Sequence, residues 1–305
     1  MRAVRIHAYG HSDQVQLEDI AMPRAHAGEV LVGIHAVGVN PVDWKIREGL
    51  LARVAPRALP FTLGQDLAGR VISLGEDVTS IEASDTVYGF ASGAYAEYAV
   101  VSPSMIASKP RTVHDTVAAA LPTPGLTALQ TVRDAIQPQQ GQTVLIHGAA
   151  GAVGSIAIQL CRSRGASVAA TAASRDAAYL NQLGVAEVID YHTERFEDRV
   201  KPVDAVIDLV GGDTLARSLA VLRKGGVVAT TVGPLDPAGI TRHGVRGIHI
   251  VMQKNASDLE ELARLVDEGI VKPRPVRVLP LAEARAAQDL IQSGRSSDKL
   301  VLQTV

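Results

Sequence analysis

Between Leu121 and Lys254 the chain alternates short apolar, β-branched runs with longer segments whose apolar residues recur every three or four positions. Runs of the first kind read as buried strands, and segments of the second as the helices that join them. Candidate strands are Thr143 to His147, Ser167 to Thr171, Glu187 to Asp190, Ala205 to Val210, Val227 to Val232 and Ile248 to Met252. Six strands connected in this way describe a doubly wound parallel sheet, which binds ligands beyond the carboxyl ends of its strands.

Outside this block the pattern changes. From Met1 to about Ala107 short strands are broken by Gly, Pro, Asn and Asp, as in EVLVGIHAVGVN, AGRVISLG and DTVYGFASGAYAEYAVV, which predicts a compact β-rich domain. After Lys254 the pattern predicts a helix (Ser257 to Gly269), a strand near Val276 to Leu279, a helix (Leu281 to Ser293) and a final strand, Lys299 to Gln303. The expected fold is therefore α/β with two domains, residues 1–121 with 255–305 and residues 122–254. No internal repeat, low-complexity tract or charge block interrupts it.

The chemistry concentrates in TVLIHGAAGAVGSIAIQL, Thr143 to Leu160, which reads as strand, tight turn and helix. Its turn, Ala149-Ala150-Gly151-Ala152-Val153-Gly154, is a dinucleotide fingerprint with alanine at the first glycine. Gly151 lets the backbone approach a pyrophosphate, and Gly154 lets the helix pack on the strand. Free N–H groups at the helix start meet the negative charge. An NAD site wants a carboxylate roughly 20 residues further on, to hold the ribose 2′-OH. Here that position holds Ser174, then Arg175, and no acid appears until Asp176. A hydroxyl beside a guanidinium suits a 2′-phosphate, so the expected cofactor is NADPH. The plain alternative for Arg175 is a solvated residue at a helix start. Val210-Gly211-Gly212 and Val232-Gly233-Pro234 stand at the ends of two predicted strands. They leave room for a nicotinamide, or end the strands for local reasons.

Composition narrows the function classes. A formal net charge of -2 and 20% charged residues argue against a nucleic-acid surface or a polybasic membrane anchor. The N-terminus alternates as a strand, with no signal-peptide core, and every long apolar run is interrupted, so a cytoplasmic location is expected. The single cysteine, Cys161, cannot form a disulfide within the chain and reads as a buried thiol in the first crossover helix.

Several further motifs stand in a familiar order: GVNPVDWKIREG (Gly38 to Gly49), LPFTLGQDLAGRVISLG (Leu59 to Gly75), GAYAEYAVV (Gly93 to Val101), LPTPGLTALQ (Leu121 to Gln130) and KLVL (Lys299 to Leu302). With AAGAVG between them, the chain resembles the medium-chain dehydrogenase/reductase superfamily over nearly its whole length. It is most similar to the zinc-free quinone oxidoreductase branch, with its ζ-crystallin-like and enone-reducing members. The resemblance implies a GroES-like N-terminal domain, a Rossmann cofactor domain, a C-terminal tail that rejoins the first domain, and an active site in the cleft between them. In the zinc-dependent alcohol dehydrogenases of this superfamily a cysteine stands where this chain has Asn40, and a His-Glu pair where it has Gln65-Asp66. A catalytic zinc needs three ligands from Cys, His and carboxylate, the structural zinc of those relatives uses four cysteines, and the nine histidines show no ligand spacing, so no metal is expected.

Hydride transfer to a quinone or an α,β-unsaturated carbonyl suits such a site, because these acceptors are electrophilic without a metal. The resemblance places NPVDWK on the substrate side. Asn40 is the candidate amide donor, and Lys45 the candidate cation for an enolate or the cofactor ribose; water could supply the final proton. Against this, Lys45 and Arg47 read equally as exposed residues, Asn40-Pro41 as a turn starter, and Asp43 as an architectural acceptor. Thr127 either caps a helix or contacts the nicotinamide. Tyr191 either lies beside the adenosine phosphate, as in zinc-free relatives, or is a surface tyrosine at a strand end. Asp208 reads as buried support. Two other functions remain open, an enoyl-thioester reductase and a non-catalytic, crystallin-like NADPH-binding protein. Gly247 to Met252, as the last strand of the sheet, offers an edge for a homodimer.

Overall fold

The computed structural model describes residues 1–294, 296 and 298–304. In chain order the first strands are β1 (Arg2–Ile6), β2 (Gln16–Asp19), β3 (Val30–Gly38), β4 (Phe61–Thr62), β5 (Asp66–Leu74), β6 (Thr86–Phe90), β7 (Tyr98–Val101) and β8 (Ile106–Ser108). Then come β9 (Thr143–His147), β10 (Ser167–Ala172), β11 (Glu187–Asp190), β12 (Val203–Asp208), β13 (Leu222–Thr230) and β14 (Arg246–His249), followed by β15 (Val276–Pro280) and β16 (Lys299–Gln303). The chain divides into two compact units. The first holds Met1–Thr123, Lys254–Glu268 and Pro273–Val305, and the second holds Pro124–Gln253 with Gly269–Lys272. That last short segment goes with the second unit because both its backbone groups at Lys272 bond the Gln159 side chain, at 2.8 and 3.1 Å.

The first unit is built on a seven-stranded sheet in the order β15-β16-β3-β5-β6-β8, with β7 also pairing β3, and a small sheet β2-β1-β4. Strand β3 carries the core. Eight of its nine residues are buried, which explains why its sequence is a continuous apolar run instead of an alternation. The tail returns to this unit: β16 runs antiparallel to β3, with Val301 opposite Gly38, and parallel to β15.

The second unit is a six-stranded parallel sheet in the order β11-β10-β9-β12-β13-β14. The order reverses between β9 and β12, so a crevice forms outside their carboxyl ends. The fingerprint strand and the third strand match their expected bounds. Three others end two or three residues earlier than the apolar pattern suggests, at Asp208, Thr230 and His249. The reason is visible at the overrun: Val210 and Val251 are apolar yet 55% and 67% exposed, so they extend the pattern without extending the sheet. Edge strand β14 pairs with β13 alone among the described residues. No helix among the described residues is long and apolar enough to cross a membrane.

One expectation is overturned in the first unit. Arg47 is not exposed; it is among the largest fully buried side chains. The helix Pro41–Arg47 turns it inward, where Nε donates to Gly10 O at 3.2 Å, Nη1 to Gln288 Oε1 at 2.9 Å, and Nη2 to Gln292 Oε1 at 2.8 Å and Glu48 Oε1 at 3.0 Å. Five donors in a fixed fork let one side chain clamp the helix Ala284–Gln292 to the first fifty residues. Replacing it by methionine keeps the volume but strands the two glutamine oxygens. Arg47→Met is expected to lower the stability of the first unit by about 3 kcal/mol, read as a lower urea midpoint with an unchanged slope.

Candidate functional site

In the second unit the fingerprint forms the turn between β9 and the helix Ala152–Ser163. Gly154 is required by contact: a Cβ there would lie 2.6 Å from the carbonyl oxygens of both Gly148 and Ala149. Gly151 is the residue just before the helix, and a Cβ on it would sit 3.2 Å from Gly148 O, at the wall of a cavity of about 770 Å³. Of the candidates, Ala150, Gly151, Tyr191 and Val210 line this cavity. Ala152, Val153 and Gly154 form the helix start beneath it. Strand ends β12 and β13 are tied together by Asp208, whose carboxylate accepts from Val210 N, Gly211 N and the Thr230 hydroxyl at 2.9 to 3.3 Å. Gly211 has φ +80° and faces Val232, so the strand ends carrying Gly211 and Val232-Gly233 adjoin.

Ser174 and Arg175 stand on a short turn just past β10 and are exposed. Arg175 is 64% exposed, with Nε 3.7 Å from Asp176 Oδ2. Neither lines the cavity wall, whereas Asp176 does. Tyr191, 57% exposed, packs against the His192 ring at a tilt of 43°, with 4.2 Å between ring centroids. Thr127 lies inside the helix Pro122–Gln130 and is buried, so the reading of its hydroxyl as a helix-starting cap falls.

The sequence reading missed His147, Thr193 to Phe196 and Arg217, all of which line the same cavity. Arg217 binds Glu197 with two bonds of 2.6 Å and lies 4.8 Å over the Phe196 ring. That bond from Arg217 holds the Glu197 carboxyl down at about 2. Nothing in local spacing announces a pair twenty residues apart. His147 ends β9 with its ring fully buried. Ser218 gives its proton to Thr214 O, so its oxygen accepts from His147 Nε2 at 2.9 Å, and Nδ1 accepts from the Thr171 hydroxyl at 2.9 Å. Burial pushes this imidazole down to about 4.

In the first unit Asn40, Asp43, Asp66, Tyr95, Thr123 and Lys299 form one interior polar cluster. Lys299 Nζ donates to Val39 O at 2.8 Å and to Asn40 Oδ1 at 2.6 Å, while Asn40 Nδ2 donates to Asp66 Oδ2 at 2.8 Å. Asp43 Oδ2 accepts from Asn40 N at 2.7 Å and from the Tyr95 hydroxyl at 2.9 Å. Asn40 is 3% exposed, so its amide serves the interior of the chain. Burial, assisted by the charge of Asp66, raises Asp43 to about 7; burial also raises Asp66 and lowers Lys299. Lys45 is half-buried on the same helix, with Nζ 5.8 Å from the Trp44 ring centroid. A second cavity, of about 320 Å³, is lined by Asp43, Arg57, Gln65, Phe90 and Lys254 among others, and by neither Asn40 nor Lys45.

Two family models match, the one described as "Alcohol dehydrogenase GroES-like domain" over residues 26–111 and the one described as "Zinc-binding dehydrogenase" over 183–302. The chain is 32% identical to a quinone oxidoreductase of Mus musculus, across 99% of this chain and 97% of that one. It belongs to the quinone oxidoreductase branch of the medium-chain dehydrogenase/reductase superfamily. Within that branch it is similar to the 2-methylene-furan-3-one reductase of Solanum lycopersicum, 32% identical over all of this chain and 79% of that one. The structure of Escherichia coli quinone oxidoreductase complexed with NADPH superposes on the whole of both chains with a TM-score of 0.91 at 27% identity. These matches confirm the superfamily branch and the pairing of GroES-like and Rossmann-like domains that the motifs suggest.

Against the zinc in one matching description, the donor set of this quinone oxidoreductase-branch chain does not fit the metal. The residues at the expected ligand positions are Asn40, Gln65 and Asp66, and an ammonium already donates to Asn40. Among the described residues no group of three or more His, Cys, Asp or Glu is placed to hold a metal ion. The single cysteine, Cys161, is buried as its place in the apolar stripe implies, and burial pushes its thiol up to about 12.

His147 generates a stability prediction. Its folded value lies below the ordinary 6.5, so the unfolded chain binds more protons between the two and stability falls as pH drops through that window. From pH 7.5 to pH 5 this one group is expected to cost roughly 2 kcal/mol. Urea titrations at both pH values should show that difference shrinking in His147→Gln relative to wild type.

Proposed function

We propose that this protein is a zinc-independent, NADPH-dependent reductase that transfers hydride to a quinone or an α,β-unsaturated carbonyl. The observation that carries the reading is the donor set around Asn40, where a lysine ammonium and an amide stand in place of metal ligands. Alcohol oxidation needs a Lewis acid there; reduction of an already electrophilic acceptor does not. The activities named for the mouse and tomato relatives, and the NADPH in the E. coli complex, support the same reading.

When bound, the dinucleotide supplies the hydride. This chain's residues hold it: Gly151 and the first turn Ala152-Val153-Gly154 face the pyrophosphate, with Ala150 beside them. Tyr191 lies along the adenosine phosphate, and Ser174 with Arg175 takes the 2′-phosphate. Val210-Gly211 and Val232-Gly233 leave space for the nicotinamide ring, and Thr127 contacts it. On the acceptor side Lys45 is the candidate cation for the enolate or the ribose, while Asn40 positions Asp66 and Lys299. Strand β14 offers its open edge to a second copy, giving a homodimer.

Fluorescence titration with NADPH and NADH tests the cofactor assignment. NADPH should bind about tenfold more tightly, because an exposed charge-assisted contact is worth roughly 1.5 kcal/mol, and Arg175→Ala should erase most of the preference. Equal affinities in wild type would instead favour Asp176 as a ribose acceptor. For the activity, oxidation of NADPH is expected with 1,4-benzoquinone or methyl vinyl ketone, and no turnover by folded protein with either counts against the reading. Light scattering at micromolar concentration should give twice the chain mass, and a monomer would exclude the β14 edge as an interface.

A further inference from the structure

The cavity in the first unit has an electrostatic imbalance that the residues around it do not resolve. Arg57 and Lys254 both line it, and each is set against an aromatic ring: the guanidinium is 5.3 Å from the Phe61 centroid and the ammonium 5.1 Å from that of Phe90. Lys254 donates to Gln65 Oε1, a neutral acceptor. The Nε of Arg57 is buried and has no hydrogen-bond partner. These cations sense each other. Burial lowers Lys254 below the ordinary lysine range and the charge of Arg57 lowers it further, against the opposing pull of Asp66 and Asp43.

Asp43 is the one acid in the lining among the described residues. Its Oδ2 already accepts from Asn40 N and Tyr95, and its Oδ1 is buried without a partner. Burial holds this carboxyl at about 7, so near neutral pH it supplies only part of a negative charge. The lining therefore sets two cations against one acid, with the charge of Asp66, outside the lining, also acting on Lys254; the walls include Ile46, Leu63 and Val100. Low-dielectric walls concentrate such a field and favour an incoming anion.

We infer that this cavity is an anion subsite, and that the acceptor reduced by this protein carries a carboxylate held between Arg57 and Lys254. This rests on the reductase reading above and names the substrate class within it. A guanidinium is matched to a carboxylate, which takes two parallel bonds from its terminal nitrogens, and the ammonium supplies a third donor. At about 320 Å³ the space suits a small acyclic acceptor of the 4-oxo-2-enoate type. In its reduction the carbon–carbon double bond takes one hydride from the dinucleotide and one proton from water. The products are the saturated oxo acid and the oxidised dinucleotide.

A matched pair of acceptors tests this, 4-oxopent-2-enoic acid and its methyl ester, each with NADPH. The kcat/KM of the acid is expected to exceed that of the ester by at least about tenfold. Arg57→Met and Lys254→Met should each bring the ratio close to one, and Arg57→Lys should restore part of it. A ratio of two acceptors cancels any general loss of folded or cofactor-loaded protein. Equal or reversed preference in wild type, or a preference that both methionine variants retain, overturns the subsite. If neither acceptor is turned over with NADPH or NADH, the reductase reading fails separately, and calorimetry with the saturated acid 4-oxopentanoate decides the subsite. Saturable binding that weakens about tenfold in Arg57→Met supports it; absence of binding to wild type overturns it.

Discussion

The first unit depends on one buried ammonium. Lys299, from the last strand, donates to Val39 O and Asn40 Oδ1; Asn40 in turn donates to Asp66 and Asp43, and Asp66 also accepts from Thr123. Segments near residues 40, 66, 95, 123 and 299 are thus joined by hydrogen bonds among side chains that are buried, with Thr123 partly so. A buried charge without its partner costs several kcal/mol, so the cluster works as a unit: every member requires the others. This is why the C-terminal tail is part of the first unit's interior, with β16 in register against β3. It also explains why two carboxylates coexist in the interior. One ammonium balances one of them, and burial raises the other, Asp43, to about 7, so that near neutral pH it carries only part of a charge.

The second unit solves a different problem with different material. Its cavity is shaped by a fingerprint turn in which Gly154 permits the helix to touch the strand, by two strand ends gathered by Asp208, and by side chains such as Tyr191, Phe196 and Arg217. Side chains at the base are neutral or already paired. His147 is held uncharged between Thr171 and Ser218, and Arg217 is committed to Glu197. A site of this kind offers N–H groups and space, which suit a large anionic cofactor bound along the strand ends. The first unit's cavity, by contrast, is defined by the charge of Arg57 and Lys254, which suits a small acceptor.

Much of this was legible in the residue order. Strand β9, the fingerprint and the final strand lie where apolar runs and glycines put them, because their signals are local: a buried strand needs four or five apolar residues in succession, and a tight turn needs glycine. Strand ends were less legible. Val210 and Val251 prolong the apolar pattern while standing in solvent, and only a hydrogen bond from a neighbouring strand, absent there, marks the true boundary. Arg47 shows the opposite failure. In PVDWKIREG it looks like any charged residue late in a helix, yet it is fully buried, because its partners Gln288 and Gln292 lie some 240 residues away.

By itself, then, the sequence determined the two-domain α/β plan, the doubly wound cofactor sheet, the superfamily branch and the replacement of metal ligands at Asn40 and Gln65-Asp66. The first two follow from residue type and spacing within a few tens of residues; the branch and the replaced metal ligands follow from the resemblance that the ordered motifs carry. Only the tertiary structure decided that Asn40 faces inward toward Lys299, that Asp176 lines the cavity of the second unit while Arg175 does not, and that Arg57 and Lys254 share one cavity. Arg57 and Lys254 are almost two hundred residues apart, and an electrostatic pairing across that separation exists only once folding has paid the entropy of bringing the segments together.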